Sequence, residues 1–321
     1  MKTLVSYTEL IENALSEFNL PQQPAQLYDP LRYFLTLGGK RMRPILTLLA
    51  TEAFGKNAKD GLHAALAVEL FHNFSLIHDD IMDAAPLRRG QHTVHEKWNT
   101  NIAILSGDVL LVKAYECLGK YDANIFKNLF AVFNQTAIEV CEGQQYDMDF
   151  EQRNDVSEED YIEMIRLKTS VLLGCALELG AIIGGADLSE AQKIYRFGEQ
   201  LGLAFQIQDD LLDLFGTEAQ VGKQIGGDVL ANKKTLLSIA AKRLASPEER
   251  LTLHEIEQVK NDTEKIARTQ KIYQELGAKS YCESKMNDFH QEALQALDRI
   301  ESKHSKAAFY DLAEFLLNRA H

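Results

Sequence analysis

Apolar residues recur along this 321-residue chain at steps of three and four, as in Leu62-Leu66-Leu70, Leu105-Val109-Val112 and Ile162-Ile165-Leu172. That spacing returns side chains to one face of an α-helix. Alternating Val/Ile/Thr runs of strand type are almost absent, and only six prolines interrupt the pattern. The pattern therefore predicts an all-α chain, with helices near 6–18, 26–37, 44–54, 60–83, 101–119, 123–148, 158–184 and 189–214 and several more to residue 319. Turn chemistry sets the ends. Gly38-Gly39 closes one helix, Pro44 suits the first position of the next, and Pro86 stops the helix that holds Asp83. Residues 62–83 and 191–213 are too apolar for surface helices and are expected at the centre of one bundle. No Ser-, Gly- or Pro-rich linker divides the chain, so a single large helical domain over 1–321 is expected.

Composition narrows the classes. Hydrophobic residues are 45% and charged residues 25% of the chain, which fits a globular protein and excludes a disordered or fibrous one. A net charge of −13 and the lack of a long basic face argue against a nucleic-acid partner. Cys117, Cys141, Cys175 and Cys282 are far apart and form no CxxC pair, so a reducing compartment is expected rather than a disulfide framework or structural zinc site. Glu9 and Glu12 break the apolar run that a signal peptide would need, and the longest apolar tract, 171–186, is broken by Glu178. The expectation is a cytoplasmic protein with no transmembrane segment. The acidic stretch 147–163 reads as a solvated loop and helix start.

The chemistry gathers in two similar segments. LIHDDIMD places Asp79, Asp80 and Asp83 at the end of an apolar helix, with Asp79 and Asp83 one turn apart on one face. Carboxylates stacked this way repel unless a cation lies between them. An all-oxygen donor set suits Mg²⁺, which keeps several waters and bridges to substrate phosphates. Alone, such an end is ordinarily a solvated acidic terminus. QIQDDLLD repeats it with Asp209, Asp210 and Asp213, and two such clusters facing each other would form an acidic, metal-binding cup for an anionic ligand. The basic groups complete the picture. Lys40, Arg41 and Arg43 follow Gly38-Gly39, and Arg88 and Arg89 follow the first aspartates. Lys168 and Thr169 sit mid-helix among apolar residues, while Lys223, Lys233 and Lys234 flank a glycine-rich loop. Arginine forks match phosphate oxygens in pairs, and a lysine-bearing loop beside a metal cup reads as a lid over phosphates.

GGKRMRP, LIHDDIMD…LRRG, KTS, FQIQDDLLDLFG and GK…GGD…NKKT, in this order, resemble the trans-isoprenyl (polyprenyl) diphosphate synthases of short-chain type. The resemblance implies an all-α isoprenoid synthase bundle around a deep apolar cavity, usually a homodimer. It also implies condensation of isopentenyl diphosphate with an allylic diphosphate, dependent on Mg²⁺, with about three ions per active site. Carried onto this chain, Asp79, Asp83 and Asp209 would hold the metal, with Asp80 in support. Arg88, Lys168, Lys223 and Lys233 would bind the allylic diphosphate. Lys40, Arg43, His72 and Arg89, with the Gly39 backbone, would hold isopentenyl diphosphate, and Thr169 and Gln206 would line the site. Without the resemblance, His72 would read as a satisfied core histidine.

Product length turns on the residues that precede Asp79. On an ideal helix Ser75 lies about 40°, Phe71 about 80° and Phe74 about 140° from that aspartate. In the family that the motifs resemble, an aromatic at the fifth position before this aspartate, here Phe74, goes with short-chain synthases, and a small residue at the fourth, here Ser75, implies a longer cavity. A twenty-carbon geranylgeranyl product is expected, with farnesyl or a longer polyprenyl chain as alternatives. Two other readings differ in class. A class I terpene cyclase would mix Asn, Ser and Glu in its second metal motif, and a non-catalytic subunit of a heteromeric synthase usually loses one aspartate cluster.

Overall fold

The structure is a computed structural model. It describes residues 2–217, 225–301 and 305–317, with side chains for 5–217, 225–301 and 305–316. In chain order the helices are α1 (Lys2–Ser16), α2 (Ala25–Thr36), α3 (Met42–Ala53), α4 (Leu62–Met82), α5 (Val94–Lys97), α6 (Thr100–Leu118), α7 (Ala123–Gln152) and α8 (Glu158–Ile165). They continue with α9 (Val171–Gly184), α10 (Leu188–Phe215), α11 (Gly227–Leu230), α12 (Leu236–Leu244), α13 (Pro247–Glu257), α14 (Asp262–Glu275), α15 (Ala278–Asp298) and α16 (Ala307–Leu317). The all-α expectation holds, and most predicted ends fall within a few residues. The exception is a two-residue hairpin, β1 (Leu87–Arg88) paired antiparallel with β2 (Gln91–His92), formed where Pro86 stops the helix and Gly90, at φ 74°, turns the chain.

The helix expected over 158–184 is interrupted. Arg166–Ser170 form a π turn, in which the Val171 amide reaches the Arg166 carbonyl five residues back. Periodicity cannot reveal this, because one extra residue in a turn leaves the apolar pattern on either side intact. The Ser157 hydroxyl accepts from the Asp160 amide at 3.0 Å, and Asp160 returns the bond to the Ser157 amide at 3.2 Å, a capping box that starts α8.

The chain divides into two compact units: residues 1–137, 175–195 and 301–305, and residues 138–174, 196–300 and 306–321. Three of the boundaries fall inside the continuous helices α7, α9 and α10, and the other two lie in the connection between α15 and α16. In the first unit, residues 64–71 of α4 are all buried, and this helix packs along α6 and α3. Gly107 lets α6 approach, since a Cβ there would lie 2.4 Å from His78 Nε2. The second unit closes around Met164, Ile165, Leu203, Ile207, Leu211 and Leu236. One helical stretch, Glu158–Gly184, is longer than the tract considered from sequence and apolar enough to cross a membrane. It is 89% buried inside the protein over its most apolar window, as a core helix is.

Candidate active site

In the first unit, α4 ends on the predicted carboxylates. The Asp83 amide caps the helix by donating to the Asp79 carbonyl at 2.8 Å. Asp79 is half-buried and Asp83 exposed, while Asp80 turns inward and is 1% exposed. Arg88 grips Asp80 in a fork, with Nε 2.8 and 2.9 Å from the two oxygens and Nη2 2.8 Å from Oδ1. Burial still holds the Asp80 carboxyl above its ordinary value, against the pull of Arg88. The carboxylate and the guanidinium assigned to different tasks are therefore each other's partners here.

The hairpin delivers Arg88 and Arg89. It is held by Tyr33, whose hydroxyl donates to the His92 carbonyl at 2.7 Å, and by Thr93, whose hydroxyl donates to the Ala85 carbonyl at 2.8 Å. Arg89 stands at φ 53° and lays its guanidinium over Gly39, where a Cβ would be 2.9 Å from Nη2. Its Nη1 donates to the Gly38 carbonyl. Gly39, at φ 148°, is thus required twice, for its backbone conformation and for this close approach. Lys40 is exposed. Arg41, in the left-handed region at φ 47°, is turned into the protein, where it binds Glu12 at 2.7 Å, Glu69 at 2.5 Å and the Leu35 carbonyl at 3.1 Å.

Arg43 Nη1 lies 3.2 Å from His72 Nε2. A guanidinium can only donate, so Nε2 is the acceptor and His72 is the neutral tautomer protonated on Nδ1. Burial, then the fields of Arg43, Arg89, Arg88 and Arg41, hold the His72 pKa well below its usual value. His72 thus lies on the same helix that ends in the carboxylates, bonded to Arg43 and within the fields of three further guanidinium groups.

Below the aspartates, Phe71 is buried and packs against Phe74 and Phe133 with ring centroids 5.6 and 5.5 Å apart. Phe74 also meets His78 at 4.7 Å, and Tyr115 backs Phe133 at 5.2 Å. Ser75 is half-buried, with its hydroxyl bonded to the His72 carbonyl at 2.9 Å. Phe133 is a neighbour that the helix geometry of α4 alone could not supply.

In the second unit, a cavity of about 600 Å³ is lined by Asp147, Lys168, Thr169, Gln206, Asp228 and Lys233, among others. Lys168 and Thr169 lie in the π turn, which is held by two glycines. A Cβ on Gly143 would be 2.3 Å from the Lys168 amide nitrogen, and one on Gly202 would be 2.7 Å from Ser170 Cα. Lys168 pairs with Asp147 at 2.5 Å. Asp147 falls in the stretch expected to be solvated, but α7 runs to Gln152 and carries it to this lysine. Thr169 donates to Gln206 at 3.3 Å, and Gln206 donates to Asp210 at 3.2 Å. Tyr161 donates to the other oxygen of Asp210. Burial and the nearby Asp228 push the Asp210 pKa up to about 8. Asp209 is half-buried, and Asp213 accepts from the Asp228 amide at 3.0 Å. Lys233 Nζ is 4.0 Å from Asp228. Lys223 lies outside the described residues.

Among the described residues no three Asp, Glu, His or Cys side chains form a closed metal cage. The donors that are present, Asp79 and Asp83 at a helix end in the first unit and the partly accessible Asp209 in the second, are hard oxygens. Donors of this kind fit Mg²⁺, which takes few protein ligands and completes its shell with water and phosphate oxygens. Sequence reasoning missed Asp147, Tyr161 and Phe133. Asp147 already lies inside the helix predicted over 123–148, but periodicity gives no sign of the lysine that it meets.

These elements describe an all-α protein with carboxylate-ended helices and clustered cations. Residues 24–276 match the polyprenyl synthetase family. The chain is 38% identical to the geranylgeranyl pyrophosphate synthase of Geoglobus acetivorans, over 98% of this chain and 97% of that protein. Its structure is similar to a crystal structure of a geranylgeranyl pyrophosphate synthase, with TM-score 0.93, 43% identity and coverage of 100% and 99% of the two chains. It also resembles the polyprenyl synthase of Caulobacter crescentus complexed with calcium and isoprenyl diphosphate, with TM-score 0.84, 25% identity and coverage of 100% and 96%. The chain belongs to the polyprenyl synthetase family.

Proposed function

We propose that the protein condenses isopentenyl diphosphate head to tail with an allylic diphosphate to give a short-chain all-trans prenyl diphosphate, with geranylgeranyl diphosphate as its product. The observation that carries this reading is neutral His72, bonded to Arg43 and within the field of Arg89, on the same helix that ends in Asp79 and Asp83. It is an anion site next to a cation site, as two diphosphate substrates require. The relatives named as geranylgeranyl synthases support the product assignment.

In the reaction, the allylic C–O bond breaks and its electron pair leaves on pyrophosphate. The isopentenyl double bond then forms the new C–C bond to the allylic carbon, and a proton passes to the departed pyrophosphate, which restores a double bond. Lys168, Lys233 and Lys223 hold the departing pyrophosphate, with Arg88 fixing Asp80 at the end of α4. Lys40, Arg43 and Arg89 hold isopentenyl diphosphate, and His72 keeps an Nδ1–H to donate. Thr169 and Gln206 face the ionising carbon, and Phe71 and Phe74 keep water from it. About three Mg²⁺ ions, held by Asp79, Asp83 and Asp209, would neutralise charge on the leaving group; the calcium-bound relative supports a divalent ion.

The continuity of α7, α9 and α10 supports one domain over 1–321. Ile104, Leu105 and Val112 of α6 and Phe130 of α7 are exposed, and they support a homodimer joined by this apolar face. The burial of the long apolar helix supports a protein without a transmembrane segment, and a cytoplasmic location is proposed with it. The test supplies labelled isopentenyl diphosphate, dimethylallyl diphosphate and Mg²⁺ and sizes the dephosphorylated product. A twenty-carbon alcohol is expected. No incorporation of label, or hydrocarbon formed from an allylic diphosphate alone, would overturn the reading.

A further inference from the structure

Helix α14 carries none of the signature segments, yet within the second unit it meets the chain around Lys233 and the second aspartates at three points. Lys265 is 6% exposed and donates from Nζ to Asn232 Oδ1 at 2.8 Å. Ile266 fills the space where a Cβ on Gly226 would fall, 2.6 Å from its Cγ1. Gln270 donates to the carbonyl of Leu214, the residue after Asp213. A buried ammonium is unfavourable unless it finds a good acceptor, and the one it finds belongs to a residue in an unusual conformation. Asn232 stands at φ 50°, in the left-handed region that Asn visits more readily than most residues but still at some cost. Its successor is Lys233, whose amide bonds to the Asp228 carbonyl at 2.9 Å and whose ammonium approaches the Asp228 carboxylate at 4.0 Å. Asn232, Lys233 and Asp228 line the cavity that also holds Lys168 and Thr169, and together with Lys265 they line a second, smaller one that shares this wall.

We propose that Lys265 is a positioning residue of the diphosphate cradle: by clamping Asn232 in its left-handed turn it keeps the Lys233 ammonium beside Asp228 and over the cavity. A single rotatable lysine on a loop would sample many directions. The clamp removes that freedom before substrate arrives, so less ordering remains to be done on binding. This proposal rests on the reading of that cavity as the allylic diphosphate subsite.

The test uses the full chain and compares wild type, Lys265→Met, Asn232→Gly and the double variant. Each diphosphate is varied separately in steady state, and Tm is measured with and without Mg²⁺ and inorganic pyrophosphate. Met keeps the buried stem, and Gly accepts the left-handed turn, so each variant removes the clamp in a different way. Each single change is expected to raise the allylic KM about tenfold, to leave the isopentenyl KM within about twofold, and to shrink the Tm gain from pyrophosphate. The double variant should match the worse single one, because both changes remove one interaction. The proposal is overturned if either folded single variant keeps the wild-type allylic KM, if both substrates lose equally, or if the two effects multiply. Should wild type itself neither incorporate isopentenyl diphosphate nor gain stability from Mg²⁺ and pyrophosphate, the subsite reading falls and this proposal with it. An active wild type with unaffected variants sinks the clamp alone.

Discussion

Replacing Gly143 with Ala probes how the π turn presents Lys168 and Thr169. The new methyl carbon would lie 2.3 Å from the Lys168 nitrogen and 2.7 Å from both the Leu167 carbonyl carbon and Lys168 Cα. These are backbone atoms and cannot swing aside as a side-chain tip can. Restoring ordinary contact needs a shift of about 1 Å between α7 and the turn. Overpacking of that kind costs about 1–3 kcal/mol, which corresponds to a Tm loss of roughly 2–12 °C for a unit of this size. The effect on turnover should be larger than the effect on stability. Lys168 pairs with Asp147 across 2.5 Å and Thr169 reaches Gln206 at 3.3 Å, so a shift of about 1 Å misaligns both and is expected to lower kcat about 10²-fold. The rate is measured by incorporation of labelled isopentenyl diphosphate, well below the variant's Tm, with the folded state checked by circular dichroism. Gly202→Ala, which presses on Ser170 from α10 at 2.7 Å, should act in the same direction. A Gly143→Ala enzyme that loses stability but keeps wild-type kcat would refute the link between the π turn and catalysis. One that loses neither would show that the close approach is not needed at all.

Three further outcomes are expected. Asp79→Ala and Asp209→Ala will each lower kcat by several orders of magnitude with Tm nearly unchanged, since both side chains are partly accessible; a variant that keeps more than about a tenth of the rate would remove that residue from the metal site. Phe74→Ala or Phe71→Ala will lengthen the product by one or more five-carbon units, read by chromatography of the dephosphorylated alcohols. An unchanged product spectrum in both active variants would show that the Phe71–Phe74–Phe133 stack is not the floor. Glu178 is buried in α9, and burial raises its pKa from 4.5 to about 7. The folded protein thus holds this proton more tightly than the unfolded chain, and stability falls as pH rises from about 4.5 to about 7. The penalty above that range is roughly 3 kcal/mol. Glu178→Gln should therefore raise Tm at pH 8 more than at pH 5, and equal shifts at both values would contradict the burial argument.

The sequence by itself determined what local chemistry controls. The three-and-four spacing places α4 and α10 as apolar helices, and the LIHDDIMD and QIQDDLLD segments place a carboxylate cluster at the end of each. Those features depend on residues a turn apart, so periodicity reads them directly. It cannot say where neighbouring, chemically alike groups point. Asp79 and Asp80 are adjacent, yet only the docking of the hairpin decides that Arg88 takes Asp80. Arg41 and Arg43 are two residues apart, yet the left-handed backbone at Arg41 turns it inward to Glu12 and Glu69, while Arg43 meets His72. Lys168 looked like a costly mid-helix lysine until a π turn and the far end of α7 brought Asp147 to it. Lys265 and Asn232 meet across 33 residues of chain with no motif to connect them. In each case the partner comes from a different element, 8 to 33 residues away along the chain, and its identity depends on backbone placement to within about an ångström. Hydrophobic patterning sets which face of a helix is buried. It leaves that finer placement to close packing between elements, so only the tertiary structure decides which charges are compensated and which remain for substrate.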